Sequence, residues 1–201
     1  MKKTMILVGL VVAVLMLSPA AKADQLVFTT TLTGSQEVPP SGSPGIGSAL
    51  VTLDTVTNIL TVNVSFAGLV SPTVASHIHC CAGPGVNAMV ATAVPTSPGF
   101  PLGVTTGTYL MSFDLTTAST YNPAFITAHG GTVAAAQAAF IAGLTSGQTY
   151  LNIHTMQFPT GEIRGQLGTA AVPEPASLLL LATGVLGTAG AIRKRRQRVE
   201  K

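Results

Sequence analysis

Three histidines have the spacing needed to bind one metal ion. His77 and His79 are two residues apart in a β-rich run, so a strand would put both imidazoles on the same face. His154 ends another such run, and the three imidazoles converge if the two strands are neighbours. Imidazole is a good ligand for copper and zinc, so either ion is a candidate cofactor. The alternative is that the histidines only form hydrogen bonds within the sheet.

Two adjacent cysteines follow the histidine pair. In a regular strand Cys81 returns to the face of His79, whereas Cys80 starts on the opposite face. We therefore expect Cys81 to be the better metal ligand and Cys80 the better candidate for burial. A thiolate ligand would favour copper(I) or zinc. The alternatives are a vicinal disulfide, a bridge to another chain, or free buried thiols.

The last β-rich run carries the single basic residue of the chain's interior. Arg164 and Glu162 flank Ile163 and would share one face of a strand. A partly buried charge usually has a partner, so the pattern predicts a structural ion pair that fixes this strand. Glu37 and Asp114 are the alternative partners across neighbouring strands.

The distribution of charge excludes several functions. Residues 24–171 contain one basic and five acidic residues, for a net charge of −4. Nucleic-acid binding depends on many Lys and Arg contacts with phosphates, so it is excluded. The sequence also contains no G-x-S-x-G, P-loop or H-E-x-x-H motif, and it offers no close pair of carboxylates. We predict no catalytic residues and no enzymatic activity.

Residues 24–171 have the pattern of a mainly β domain. Short runs rich in β-branched residues alternate between apolar and polar side chains and are separated by Gly, Pro and Asn. The candidate strands are Leu26–Leu32, Gly47–Asp54, Ile59–Phe66, Val74–His79, Gly107–Leu115, Tyr150–His154 and Glu162–Leu167. This pattern predicts an antiparallel β-sandwich or Greek-key barrel, similar to superoxide dismutase or immunoglobulin domains.

One stretch interrupts the β pattern with helix signals. Asn122 is a good N-cap and Pro123 a favoured first residue, which predicts a short helix over 123–129. Thr132 can cap a second helix through Val133–Ala142, with the following glycine as its stop. We expect a short helical insertion before the last two strands.

The first 23 residues have the composition of a secretory signal peptide. Two lysines precede an apolar run from Met5 to Leu17, and an A-x-A cleavage site ends at Ala23. Signal peptidase would cleave there and leave Asp24 as the first residue. The apolar run of roughly 13 residues is shorter than the ~20 that cross a bilayer. The body would therefore be exported to an oxidising compartment.

The last thirty residues combine three features in a fixed order. Pro173, Glu174 and Pro175 precede an apolar run from Leu178 to Ile192, and an Arg-rich end follows. This order resembles the PEP-CTERM sorting signal of Gram-negative bacteria. The resemblance implies cleavage by an exosortase-type membrane protease, transient residence in the inner membrane, and delivery to the cell surface or the exopolysaccharide matrix. The alternative is a single transmembrane helix that stays in place as an anchor.

The body also resembles a known family in three segments. They read LTGSQEVPP at 32–40, ASHIH at 75–79, and YLNIHT at 150–155 followed by FPTGEIRGQL at 158–167. Together they resemble the CHRD domain, named for chordin, over roughly residues 25–168. The resemblance implies an exported β domain with a structural or binding role. This chain departs from the family at Cys80-Cys81, where a glycine is usual, and in its helical insertion.

The two terminal segments predict the mass of the exported protein. We expect the mature chain to run from Asp24 to about Val172, because both apolar runs belong to segments that are removed. Mass spectrometry of the surface-exposed protein should find neither run. A released form that still contains Leu178–Lys201 would contradict the interpretation of the C-terminus as a sorting signal.

Overall fold

The computed structural model describes residues 25–169. The predicted signal peptide, its cleavage site and the predicted sorting segment with its apolar run lie outside the described residues. The strands are β1 Gln25–Thr33, β2 Ile46–Asp54, β3 Ile59–Ala67, β4 Thr73–Cys80, β5 Met89–Val90, β6 Gly107–Asp114, β7 Thr149–Thr155, β8 Ile163–Gln166 and β9 Gly168–Thr169. The α-helices are α1 Pro123–Ala128 and α2 Val133–Thr145, and 3-10 helices cover Gly34–Gln36 and Ala118–Thr120. Within residues 25–169, no helix is both long and apolar enough to cross a membrane.

All of these strands belong to one antiparallel sheet that curls into a half-barrel. The strand order is β5-β4-β7-β8-β1-β2-β3-β6, and β9 pairs with the start of β1. The predicted mainly antiparallel β fold is confirmed, and each of the seven predicted strands matches an observed one to within one residue at either end. The two-residue strands β5 and β9 are too short to leave a pattern in the sequence.

The β1–β2–β3–β6 half of the sheet has one buried and one exposed face. Four alternate side chains of β3 are at most 3% exposed and pack in the core: Leu60, Val62, Val64 and Phe66. The opposite face carries mainly hydroxyl and amide side chains that meet across strands, as in the 2.9 Å hydrogen bond between Ser48 and Ser65. Leu50 and Leu110 are also exposed on this face. This half therefore follows the alternation of a sheet with one wet face.

In the β4–β7–β8 half, the central strand β7 is buried on both faces. Every residue of β7 is buried. Leu151 and Ile153 belong to the hydrophobic core, so Tyr150, Asn152 and His154 point to the other face. We call this second face the polar layer. The loops that follow β1, β4, β5 and β7 cover it.

The helical segment is a part of the core. Asn122 and Thr132 cap α1 and α2 through hydrogen bonds to the backbone nitrogens of Ala124 and Ala135, as predicted. The predicted stop at Gly143 is wrong, because α2 continues through it to Thr145. A Cβ at Gly143 would overlap with the Sγ atom of Cys80, so glycine is needed there for close packing.

We expect Phe140→Ala to show how much the helical segment contributes to stability. The Phe140 side chain on α2 is fully buried, and its ring packs against Tyr121 and Phe125. Its loss should lower the free energy of unfolding by about 3–5 kcal/mol in urea denaturation, because a cavity remains. The control Val56→Ala trims a side chain that is 69% exposed and should change stability by no more than about 0.5 kcal/mol. A Phe140 variant as stable as this control would contradict the assignment of the helices to the core.

Candidate metal centre

The pairing of β4 with β7 brings the three predicted histidines together. The strands are antiparallel neighbours, with Ala75 opposite His154 and His77 opposite Asn152. All three imidazoles lie in the polar layer, and one nitrogen from each lies within 4.8 Å of the others. The three residues are at most 8% exposed. The predicted convergence of His77, His79 and His154 is therefore present in the fold.

Each imidazole is held by a backbone carbonyl from a covering loop. His77 Nε2 lies 2.8 Å from the Pro95 oxygen, and His79 Nδ1 lies 2.9 Å from the Ala88 oxygen. His154 Nδ1 lies 3.0 Å from the Pro159 oxygen. Since a carbonyl oxygen can only accept, each of these ring nitrogens must carry the hydrogen. The contacts therefore fix the tautomer of all three rings.

The remaining nitrogens present lone pairs toward each other. His77 Nδ1 and His154 Nε2 are 3.2 Å apart, a distance at which one of them would normally carry a proton. In neutral rings the only N–H is already used by a carbonyl, so neither nitrogen can donate to the other. His79 Nε2 is buried and has no hydrogen-bond partner among the described residues. The cluster thus holds three acceptor nitrogens and no donor.

Burial keeps these rings neutral. Desolvation lowers the pKa of His77 below its ordinary value, and it lowers the pKa of both His79 and His154 to about 4. The neighbouring histidines lower the pKa of His154 further. At pH 7 the rings are therefore in the unprotonated form that binds metal ions.

The donor set fits a transition metal ion. Three neutral imidazole nitrogens are a common ligand set for zinc, and imidazole also suits copper. Metal-binding histidines typically donate their second N–H to a carbonyl or carboxylate, which orients the ring. The carbonyls of Ala88, Pro95 and Pro159 provide this contact here.

The cysteines are not part of the cluster. Cys80 and Cys81 form a vicinal disulfide, one of the alternatives open from the sequence. Cys80 is 1% exposed and belongs to the hydrophobic core, and Cys81 is exposed beyond the end of β4. Sulfurs bonded to each other offer no thiolate. While the disulfide is intact, neither Cys81 nor Cys80, the second choice, can act as the predicted metal ligand.

Arg164 lies in the same polar layer as the histidines. Its guanidinium is 4.6 Å from the centre of the Tyr150 ring. The same ring stacks on His79, with ring centres 4.6 Å apart. Arg164 donates to the Gln36 carbonyl and to Asn87 Oδ1. Its Nε lies 4.0 Å from an oxygen of Glu37, one of the two alternative partners. Through its contacts with Gln36 and Glu37, Arg164 thus holds the loop after β1 against the polar layer.

Glu162 has a different environment from the one predicted. Its carboxylate accepts hydrogen bonds of 2.6 Å from Ser43 Oγ, from the Val70 backbone nitrogen and from Thr155 Oγ1. Within residues 25–169, the only ion pair of Arg164 is with Glu37, so the predicted Arg164–Glu162 pair is wrong. Glu162 precedes β8 and lies at the corner before it, where strand alternation does not apply.

The other alternative partner of Arg164 lies on the surface. Asp114 is exposed, and its carboxylate accepts from the backbone nitrogen and hydroxyl of Thr116. It therefore caps the turn after β6 and takes no part in the polar layer.

The polar layer contains functional neighbours that the sequence analysis did not single out. Tyr150 and Asn152 belong to it because they alternate with His154 along β7, a signal that was available in the sequence. Glu37 Oε1 and Asn152 Oδ1 are buried without a hydrogen-bond partner among the described residues. Burial raises the pKa of Glu37 to about 7, although the charge of Arg164 opposes the shift.

The fold and the cluster define a mainly β domain with a candidate site for one metal ion. The family model of the CHRD domain matches residues 28–167. The chain therefore belongs to the CHRD domain family. A second family model, the PEP-CTERM protein-sorting motif, matches residues 171–196. Searches of the curated proteins and of the solved structures found no match to the chain.

The match to the sorting motif indicates where the protein goes. A PEP-CTERM motif directs export through the membrane to the cell surface of Gram-negative bacteria, and exosortase recognises such motifs. Neither matched family is an enzyme family. The chain is an exported, surface-sorted protein.

We expect Glu37→Gln to change the pH dependence of stability. The folded state holds the Glu37 proton up to about pH 7, whereas the ordinary pKa is 4.5. This carboxyl therefore contributes stability below pH 4.5 that is lost as the pH rises to 7. The Gln variant lacks this loss, so its stability relative to wild type should increase over the same range in urea denaturation. The exposed control Asp54→Asn should show no such trend above pH 4.5, since the pKa of Asp54 is lowered. A parallel pH profile for Glu37→Gln and wild type would contradict the buried, proton-holding state of Glu37.

Proposed function

We propose that this surface-sorted domain is a non-enzymatic metal-binding protein that holds one copper or zinc ion between His77, His79 and His154. The observation that carries the proposal is the convergence of three imidazole lone pairs in a buried layer. Each ring has already used its N–H on a carbonyl.

The arrangement of donors favours this function over a purely structural role for the histidines. Histidines that only serve a sheet would pair their nitrogens with donors and acceptors of the protein. Here three acceptors face each other, and a proton shared between them would need an imidazolium that burial opposes. A bound cation would satisfy all three nitrogens at once.

The ligand type limits the choice of ion. Calcium and magnesium prefer oxygen ligands, whereas imidazole suits copper and zinc. The disulfide removes the thiolates, so the site would consist of neutral nitrogens alone. For such sites the affinity for Cu²⁺ generally exceeds that for Zn²⁺.

Burial and location support a binding role rather than turnover. The ligand side chains are at most 8% exposed, so a substrate would have little access to an ion held there. The sorting motif would place the protein at the cell surface, where binding of a metal or of the exopolysaccharide matrix requires no catalytic group. The matrix itself stays a prediction from the resemblance.

Calorimetric titration with Zn²⁺ and Cu²⁺ tests the site. We expect one ion per chain, and an affinity reduced by at least ~100-fold in His77→Ala, His79→Ala and His154→Ala, because each change removes a ligand. The control is His129→Ala, because His129 lies outside the cluster and bonds the Phe125 carbonyl at the end of α1. Circular dichroism should show that all variants keep the β fold.

The cysteines provide a second comparison. The double variant Cys80→Ser, Cys81→Ser should bind the ion with unchanged affinity, because neither sulfur belongs to the cluster. Wild-type affinity in the three folded histidine variants would overturn the proposed function. Loss of binding in the cysteine variant alone would move the site to the thiols.

A further inference from the structure

Strand β6 forms an open edge of the described sheet. It pairs with β3 along its whole length, from Gly107 opposite Phe66 to Asp114 opposite Ile59. No described residue forms a backbone hydrogen bond with residues 107–113 on the other side of β6. Every second residue of an antiparallel strand points its N–H and C=O away from its partner. The outer edge of β6 thus presents a row of unpaired backbone groups.

The sequence of this edge lacks the features that usually prevent pairing. Exposed edges are typically blocked by lysine, proline, a bulge or very short length. β6 has eight residues and a continuous register with β3, and its sequence GTYLMSFD contains no lysine and no proline. Leu110 at its middle is 69% exposed. The opposite edge of the sheet, β5, has only two residues and is blunted by its shortness.

We propose that β6 is a dimerisation edge, which pairs antiparallel with β6 of a second copy of this chain across a two-fold axis. The two half-barrels would then share one continuous sheet. The proposal concerns a different part of the fold from the histidine cluster and does not rest on metal binding.

The sequence of β6 is complementary to itself in this arrangement. With the axis at Leu110, each Leu110 faces its counterpart, and Thr108 faces Ser112 on the same, solvent-exposed side of the sheet. On the buried side Tyr109 is opposite Met111, and within its own chain the Tyr109 ring packs against Phe100 and donates to the Pro98 carbonyl. Every one of these pairs is uncharged, so no like charges meet across the interface.

Asp114, the one charged residue of β6, lies too far from the proposed axis for the two copies to repel each other. Asp114 is four residues from the axis, so the two carboxylates would be roughly 27 Å apart at ~3.4 Å per residue. That distance exceeds the Debye length of about 8 Å at physiological salt. Each Asp114 carboxylate is also bonded within its own turn by Thr116. An antiparallel copy of the same strand therefore fits this edge without repulsion.

The mass of the exported protein in solution tests the proposal. Light scattering after size-exclusion chromatography should find the wild type as a dimer at micromolar concentration. Leu110→Lys puts two ammonium groups opposite each other and should raise the dimer dissociation constant at least ~10-fold. The matched control is Leu50→Lys, which adds the same charge on the same face of the interior strand β2, where Leu50 is 41% exposed. This control should remain dimeric.

Cross-linking tests the register and does not depend on the lysine variant. In Leu110→Cys the two new thiols should face each other and form a disulfide between chains under mild oxidation, because directly opposite Cβ atoms are about 4.5–5.5 Å apart. Leu50→Cys should stay a monomeric thiol on a denaturing gel. The native cysteines are already paired with each other.

Three results would overturn the proposal. The first is a wild type that is still monomeric at about 100 µM, well above a micromolar dissociation constant. The second is a Leu110→Lys protein that dimerises as well as wild type. The third is equal cross-linking of the Leu110→Cys and Leu50→Cys proteins.

Discussion

The antiparallel register between β4 and β7 is the constraint on which the rest of the structure depends. It places His77 next to Asn152 and sets His154 across from Ala75. Because the apolar face of these strands is already used by the core, their polar residues are buried on the other face. Buried polar groups are costly without partners. The surrounding loops supply those partners through backbone carbonyls. The hydrogen bonds to the histidines therefore constrain the conformations of these loops.

Charged side chains are buried near one half of the sheet and exposed in turns at the other. Of the five charged residues within 25–169, three are at most 5% exposed: Glu37, Glu162 and Arg164. The other two, Asp54 and Asp114, cap turns with their carboxylates. The wet half of the sheet therefore depends on hydroxyl and amide groups for its hydration. This explains how a chain with 8% charged residues can form a domain with one water-facing sheet surface.

Sequence reasoning found the strands and the three histidines because both depend on local alternation. It could not derive the pairing of β4 with β7, since His77 and His154 are 77 residues apart and no local pattern decides which strands become neighbours. Alternation also failed where a strand stops. Cys81 lies beyond β4 and Glu162 before β8, so neither side chain points where a continued strand would send it. Gly143 resembled a helix stop although its lack of a side chain serves packing against Cys80.

The pairing of β9 with the start of β1 brings the two ends of the described domain together. Thr169 lies opposite Phe28, so the chain enters and leaves the domain at neighbouring points. Domains whose ends lie close together tolerate circular permutation and insertion into another protein, because neither change requires the fold to be pulled apart. This domain should therefore tolerate insertion into a surface loop of a carrier protein with both of its ends joined to the carrier.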